Sequence, residues 1–217
     1  LWTQVINGLK LGVGFLKAWQ IVKGFMPDGV FLTGGYVNLP VALAAARRHV
    51  PILTYLPDVE PGAAIKRLSQ YSQKIACTTD GSKAFLPEEK LIVTGYPVRK
   101  EMRDAAAMPR SQALAHFNLT PDRPTLFVFG GSRGARSINQ ALTAILPDLL
   151  QVAQVIHVSG TLDWPEVEAH TRTLAHSQLP YYRPFAYLHE EMALAYRAAD
   201  LVLARSGAGM LGEAPAF

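Results

Sequence analysis

Thr125-Leu-Phe-Val-Phe-Gly-Gly-Ser-Arg-Gly-Ala-Arg-Ser-Ile-Asn139 is the stretch from which the fold of this chain is read. Leu126 to Phe129 is an uninterrupted apolar run, the pattern of a strand covered on both faces, and Gly130, Gly131 and Gly134 permit a sharp backbone turn beside a ligand. Ser137, Ile138, Leu142, Ile145 and Leu146 then fit a helix packed back on the sheet. The start of such a helix offers unpaired N–H groups and a positive dipole end, which suit an anionic group. Two common nucleotide motifs do not fit. A P-loop needs Lys-Ser/Thr after its last glycine, and here Gly134 is followed by Ala135-Arg136. The dinucleotide fingerprint needs G-x-G, whereas Gly130 and Gly131 are adjacent, and the next strand, Val155 to Val158, ends in Ser159-Gly160 without a ribose-binding acid. From this stretch alone, ligand binding and simple strand–helix packing are equally open.

The same unit recurs on both sides. Upstream, Val30 to Leu32 runs into Thr33-Gly-Gly-Tyr-Val-Asn38 and a helix from Pro40; Pro51 to Tyr55 runs into Pro57-Asp-Val-Glu-Pro-Gly62 and a helix through Ser72; Ile75 to Thr78 and Leu91 to Thr94 add strands. Downstream, a helix opens at Asp163, where Asp163-x-x-Glu166 has capping-box spacing. Tyr181 to Phe185, a helix from His189 to Ala199 and Leu201 to Ala204 follow, and Arg205-Ser-Gly-Ala-Gly-Met-Leu-Gly-Glu213 opens a last helix. This alternation predicts parallel α/β sheets with ligands at the carboxyl ends of the strands.

Residues 1–26 read as a helix with two apolar stripes, Trp2, Ile6, Leu9, Val13 and Leu16 on one and Leu11, Phe15, Trp19 and Val22 on the other, and Lys10 and Lys17 share a face. A membrane-interfacial helix and a helix buried between the sheet and neighbouring sequence are both open. Lys100, Arg103, Asp104, Arg110, an alanine patch, Pro121 and Pro124 mark residues 101–123 as a linker with a short helix, dividing a first domain, 1–100, from a second, 124–217.

Among 217 residues, 49% are hydrophobic and 18% charged, the balance of an ordered globular protein. The net charge of +4 suits an anionic membrane surface or phosphorylated substrates, and the lack of a Lys/Arg block argues against nucleic acid. Cys77, the single cysteine, excludes an internal disulfide and reads as strand packing. With no Asp-x-Asp and no histidine pair at ligand spacing, neither a metal nor a cofactor is expected. The chain starts at Leu1 and ends at Phe217 inside a helical pattern, so it reads as an internal piece of a longer protein.

Four motifs then occur in order: Thr33-Gly-Gly-Tyr36, Thr94-Gly-Tyr-Pro-Val-Arg99, Gly130-Gly-Ser-Arg-Gly-Ala-Arg136, and Ala199-Asp-Leu-Val-Leu-Ala-Arg-Ser-Gly-Ala208 with Glu213. Together they resemble the MurG family, the UDP-N-acetylglucosamine:lipid I N-acetylglucosaminyltransferases of peptidoglycan synthesis. The resemblance implies an α/β chain of GT-B type, two Rossmann-like parallel-sheet domains facing a cleft, both incomplete, with acceptor and membrane on the first and the UDP-sugar donor on the second. It implies donor contacts from Arg99, Gly131, Ser132, Arg133, Tyr187, Ser206, Gly207, Ala208, Gly209, Met210, Leu211, Gly212 and Glu213, with uracil against Phe185 to Leu188 and Asp58 near the donor. Glu213 is suited to accept from both ribose hydroxyls, because a carboxylate offers two acceptor oxygens. Thr33, Gly34, Gly35 and Tyr36 would face the acceptor's diphosphate.

The implied reaction is a metal-independent inverting transfer of N-acetylglucosamine from UDP-N-acetylglucosamine to the muramoyl 4-hydroxyl of lipid I, forming lipid II, by a peripheral enzyme on the cytoplasmic face of the bacterial plasma membrane. The family's Gly-rich loop with its favoured histidine has no counterpart in the chain, so the catalytic base is unassigned and the chain alone is expected to be inactive. The histidines at 49, 116, 157, 170, 176 and 189 read as surface or packing residues. Asp58, Met210, Gly212 and Arg133 stand where the family commonly has Asn, Thr, Ser and Gln. A UDP-N-acetylglucosamine epimerase of the same fold and a non-catalytic nucleotide-sugar-binding protein at the membrane remain open alternatives.

Overall fold

The computed structural model describes residues 2–131 and 133–217, with side chains from Gly12 onward. It divides between Tyr96 and Pro97 into two compact units.

In the first unit the chain runs α1 (Trp2–Phe25), β1 (Val30–Leu32), α2 (Asn38–Arg47), β2 (Ile52–Leu56), α3 (Ala63–Leu68), β3 (Lys74–Cys77) and β4 (Leu91–Val93). The strands form one parallel sheet in the order β1-β2-β3-β4. Leu32, Ile52, Leu56, Ile75 and Cys77 point to one face and are buried. Burial also pushes the Cys77 thiol pKa up, in keeping with a packing role. On the other face Phe31, Leu53 and Ile92 are exposed, with Phe31 and Leu53 directly paired across the ladder. The small side chains of Ala42, Ala44 and Ala45 let α2 lie close to its neighbours. A Cβ on Gly14 of α1 would come within 3.3 Å of the Pro40 ring, so glycine sets how near the two helices approach.

Ala18 and Val22 of α1 bury against Ala44, while the guanidiniums of Arg47 and Arg48 lie 5.1 and 5.7 Å from the ring centroids of Phe15 and Trp19. Val13, Leu16 and Ile21 are left exposed together with Lys17 and Lys23. The expected contributions of Trp2, Ile6, Leu9, Lys10 and Leu11 lie outside the described side chains. Among the described residues no helix is long and apolar enough to cross a membrane.

The second unit runs α4 (Lys100–Ala106), α5 (Arg110–His116), β5 (Thr125–Phe129), α6 (Arg136–Val152), β6 (Gln154–Val158), α7 (Trp164–Thr171), β7 (Tyr182–Phe185), α8 (Glu191–Ala198), β8 (Leu201–Ala204) and α9 (Ala208–Glu213). Its sheet is parallel, ordered β7-β6-β5-β8. β5 is covered on both faces, as its apolar run predicts: Val128 packs with Leu142, Leu146 and Leu150 of α6, and Phe127 and Phe129 pack with Tyr196 of α8 and with α4 and α5.

Three local expectations change. Residues 101–123 contribute two helices packed on α8, burying Met102, Ala105, Ala113, Leu114, Phe117 and Leu119. Their charges are spent locally: Lys100 pairs with Asp104 across one turn, and Arg110 binds the Ala198 carbonyl and Asp200. Ile145, expected on the packed face of α6, is exposed. Asp163 stands at the N-cap of α7 but makes no capping bond, because its carboxylate turns instead to Arg136 and Asn139.

Candidate active site

At the carboxyl edge of the second sheet lies a cleft of about 580 Å³, and every residue of its wall belongs to that unit. Phe129 and Val158 close its floor at the ends of β5 and β6, with Met102, Met192, Ala193 and Tyr196 behind them. One side is the segment after β7, with Tyr187, Leu188, His189 and Glu190; the opposite side carries Gly209, Met210 and Glu213 of α9. Gly131 of the central turn and Arg99 and Glu101 complete the rim. This is the edge where open parallel sheets place their ligands.

The turn is shaped by glycine. Gly131 and Gly134 have φ of +90° and +77°, values that strain other residues. A Cβ on Gly134 would lie 2.1 Å from the Ser159 carbonyl oxygen, so the turn rests backbone on backbone against the loop after β6. The Gly134 amide closes the turn by donating to the Gly131 carbonyl at 2.9 Å.

On the α9 side of the cleft, Arg99 donates from Nε to Glu213 Oε1 at 3.1 Å, and its Nη2 is also 3.1 Å from that oxygen. The Glu213 side chain is 14% exposed and that of Arg99 is 55% exposed, so the carboxylate is held from the cation's side while the guanidinium stays open to solvent. Tyr187 and His189 meet edge to face with ring centroids 4.7 Å apart.

Of the residues singled out in the sequence, the cleft brings together Arg99, Gly131, Tyr187, Gly209, Met210 and Glu213. Arg133 is exposed in the turn, and Ser206, Gly207, Ala208, Leu211 and Gly212 sit on or before α9 without entering the wall. Ser132 lies outside the described residues. Asp58 and Thr33 to Tyr36 belong to the first unit. There Gly34 and Gly35 have φ of +97° and +88°, and Asn38 Nδ2 donates to the Gly34 carbonyl, fixing the loop at the carboxyl end of β1. His189, read from sequence as a surface or packing residue, stands on the cleft wall; its place beside Tyr187 in the loop preceding α8 is the signal that could have found it. Among the described residues no cluster of His, Cys, Asp and Glu could hold a metal ion.

Residues 125–217 match the model of the glycosyltransferase family 28 C-terminal domain. Over 99% of its length the chain is 39% identical to the UDP-N-acetylglucosamine–N-acetylmuramyl-(pentapeptide) pyrophosphoryl-undecaprenol N-acetylglucosamine transferase of Roseiflexus sp. (strain RS-1). The chain belongs to the MurG family. It spans 56% of that relative's length. The fold is shared with the solved MurG of Acinetobacter baumannii, at a TM-score of 0.68 and 23% identity over 96% of the chain and 55% of that structure. It is shared almost equally with the UDP-GlcNAc 2-epimerase of Neisseria meningitidis bound to UDP-GlcNAc, at 0.67 and 15% identity over 94% of the chain and 61% of that structure. The two-sheet α/β architecture is thus shared with both a transferase and an epimerase, and apart from Arg99, Glu101 and Met102 the residues lining the cleft lie within the matched C-terminal domain.

Proposed function

We propose that the chain carries the nucleotide-sugar site of an inverting N-acetylglucosaminyltransferase that uses UDP-N-acetylglucosamine and the lipid-linked acceptor lipid I in peptidoglycan synthesis. The observation that carries this reading is the cleft itself, with a paired Arg99 and Glu213 on one side, the Gly131 turn beside them and Tyr187 opposite. In this reading Glu213 accepts hydrogen bonds from the ribose hydroxyls while Arg99 orients its carboxylate. The exposed face of Arg99 and the backbone N–H groups of the turn meet the diphosphate, whose charge grows as the anomeric bond breaks. Tyr187 and the adjoining backbone contact the base. Attack by the muramoyl 4-hydroxyl inverts the anomeric centre and requires a general base, to which no described residue is assigned.

Transfer rather than epimerisation is favoured by the 39% identity to a transferase named for this reaction, against 15% to the epimerase, and both are named for the same nucleotide sugar. The outward face of α1, with Val13, Leu16 and Ile21 beside Lys17 and Lys23, supports a peripheral seat on an anionic, cytoplasm-facing membrane surface. Calorimetric titration with UDP-N-acetylglucosamine, with and without Mg²⁺, tests the donor site. Saturable, magnesium-independent binding that Glu213→Ala weakens at least about tenfold, the scale of one lost charge-assisted pair, is expected. Absence of binding by the wild-type chain overturns the reading, and conversion of donor supplied alone would favour the epimerase.

A further inference from the structure

Beneath the Gly131–Gly134 turn lies a chain of polar side chains that the donor cleft does not use. His157 is fully buried on β6, its Nδ1 2.8 Å from Tyr182 Oη and its Nε2 3.0 Å from Asn139 Oδ1. Asn139 spends its amide hydrogens on the Ser159 carbonyl at 2.8 Å and on Asp163 Oδ2 at 3.0 Å. Its oxygen must therefore accept, which places the His157 proton on Nε2 and leaves Nδ1 to accept from the Tyr182 hydroxyl. The neutral imidazole this requires agrees with burial, which pushes the His157 pKa down to about 4. Asp163 Oδ1 in turn accepts from Arg136 Nε and Nη2 at 3.0 and 2.8 Å. The direction of every bond is thereby fixed, from Tyr182 through His157 and Asn139 to a carboxylate that also holds Arg136.

We propose that this Tyr182–His157–Asn139–Asp163–Arg136 relay positions the central turn for the donor's diphosphate, making Asp163 and Asn139 positioning residues. Two of its members, Arg136 and Asn139, lie in the first turn of α6, immediately after the glycines. Asp163 and Ser159 lie in the loop after β6, against which Gly134 rests without room for a Cβ. The turn leads from the end of β5 into α6, so tying the helix start to the loop after β6 fixes both the end of the turn at Arg136 and the surface on which Gly134 rests. The Arg136 charge is neutralised by Asp163 rather than offered to a ligand, although 67% of its side chain is exposed. That the turn receives a diphosphate rests on the function proposed above; that the relay fixes the turn does not.

The test is Asp163→Asn in the full chain, read first by hydrogen exchange at the Gly134 amide and then by titration with UDP and with uridine. The expected result is faster exchange at Gly134, with UDP binding weakened at least about tenfold, as when an orienting partner is removed, and with uridine binding unchanged. Unchanged exchange at Gly134 overturns the proposal. Tighter UDP binding overturns it too, because it would mean that Arg136, released from Asp163, binds phosphate directly. Equal loss of UDP and uridine would mark a general structural role and also count against it. Should Asp163→Asn fail to fold, Arg136→Ala, at an exposed side chain, is expected to give the same faster exchange and UDP-selective loss, and unchanged values there would overturn the proposal. A wild-type chain that binds neither UDP nor uridine would refute the proposed function while the exchange measurement still decides the role of the relay.

Discussion

His157 is the residue whose chemistry most directly sets a solution property of the second unit. Its neighbours are the Tyr182 hydroxyl on β7 and the Asn139 amide on α6, and neither supplies a charge that would favour imidazolium. The folded protein therefore holds it neutral to about pH 4, whereas in the unfolded chain it binds a proton near its ordinary value of 6.5. Between these values the unfolded state carries more protons, so stability is complete above pH 6.5 and falls as the pH drops toward 4, by on the order of 3 kcal/mol. Asp163 has the same sign in a lower window: the Arg136 hydrogen bond holds its pKa below the usual 3.8, so its contribution is lost only in more acid solution. Denaturant melts of the second unit from pH 7 to 4, followed through Trp164, should show the first loss. His157→Gln should flatten that slope, and a flat wild-type profile would contradict the buried neutral imidazole.

At the scale of elements, α5 makes the clearest test of how the second unit is built. Leu114 is 1% exposed in a core shared with α8 and β5. Leu114→Ala is expected to cost about 2–5 kcal/mol, the range for a buried leucine that leaves a cavity, against almost nothing if residues 101–123 were a solvated linker; urea unfolding decides. Most strands were legible as short apolar runs with a turn-forming residue close behind, as in Leu126 to Phe129 before Gly130 and Ile52 to Leu56 before Pro57. Residues 101–123 were not, because alanines at a helical interface look the same as alanines in a polar connection until α8 is brought over them. Asp163 misled for a similar reason: its partners, Arg136 and Asn139, are 27 and 24 residues away, while the capping spacing is local. Arg99, Gly131 and Glu213 could be found from motifs, whereas Phe129, Val158 and Tyr196 enter the cleft wall only through strand order and helix packing.

On the scale of the molecule, charge and apolar surface combine. With 21 basic against 17 acidic residues the chain is mildly cationic, and Lys17 and Lys23 place part of that charge beside the exposed Val13, Leu16 and Ile21 of α1. Each lysine near an anionic lipid surface contributes about 1 kcal/mol, within a screening length of about 8 Å at physiological salt. Co-sedimentation with vesicles containing phosphatidylglycerol should therefore fall as sodium chloride is raised. Leu16→Ser with Lys17→Glu should reduce it further, and salt-independent or lipid-indifferent binding would remove α1 from the membrane reading.

The bare face of the first sheet has a practical corollary. Phe31 and Leu53 present paired apolar side chains to water, with Ile92 exposed on the same face two strands away, and such a surface is wetted at a cost that contact with any other greasy plane relieves. The isolated chain should accordingly be a poor colloid. Its light scattering would grow with concentration and with sulfate, and shrink under the mild detergent that a worker at the bench would reach for first.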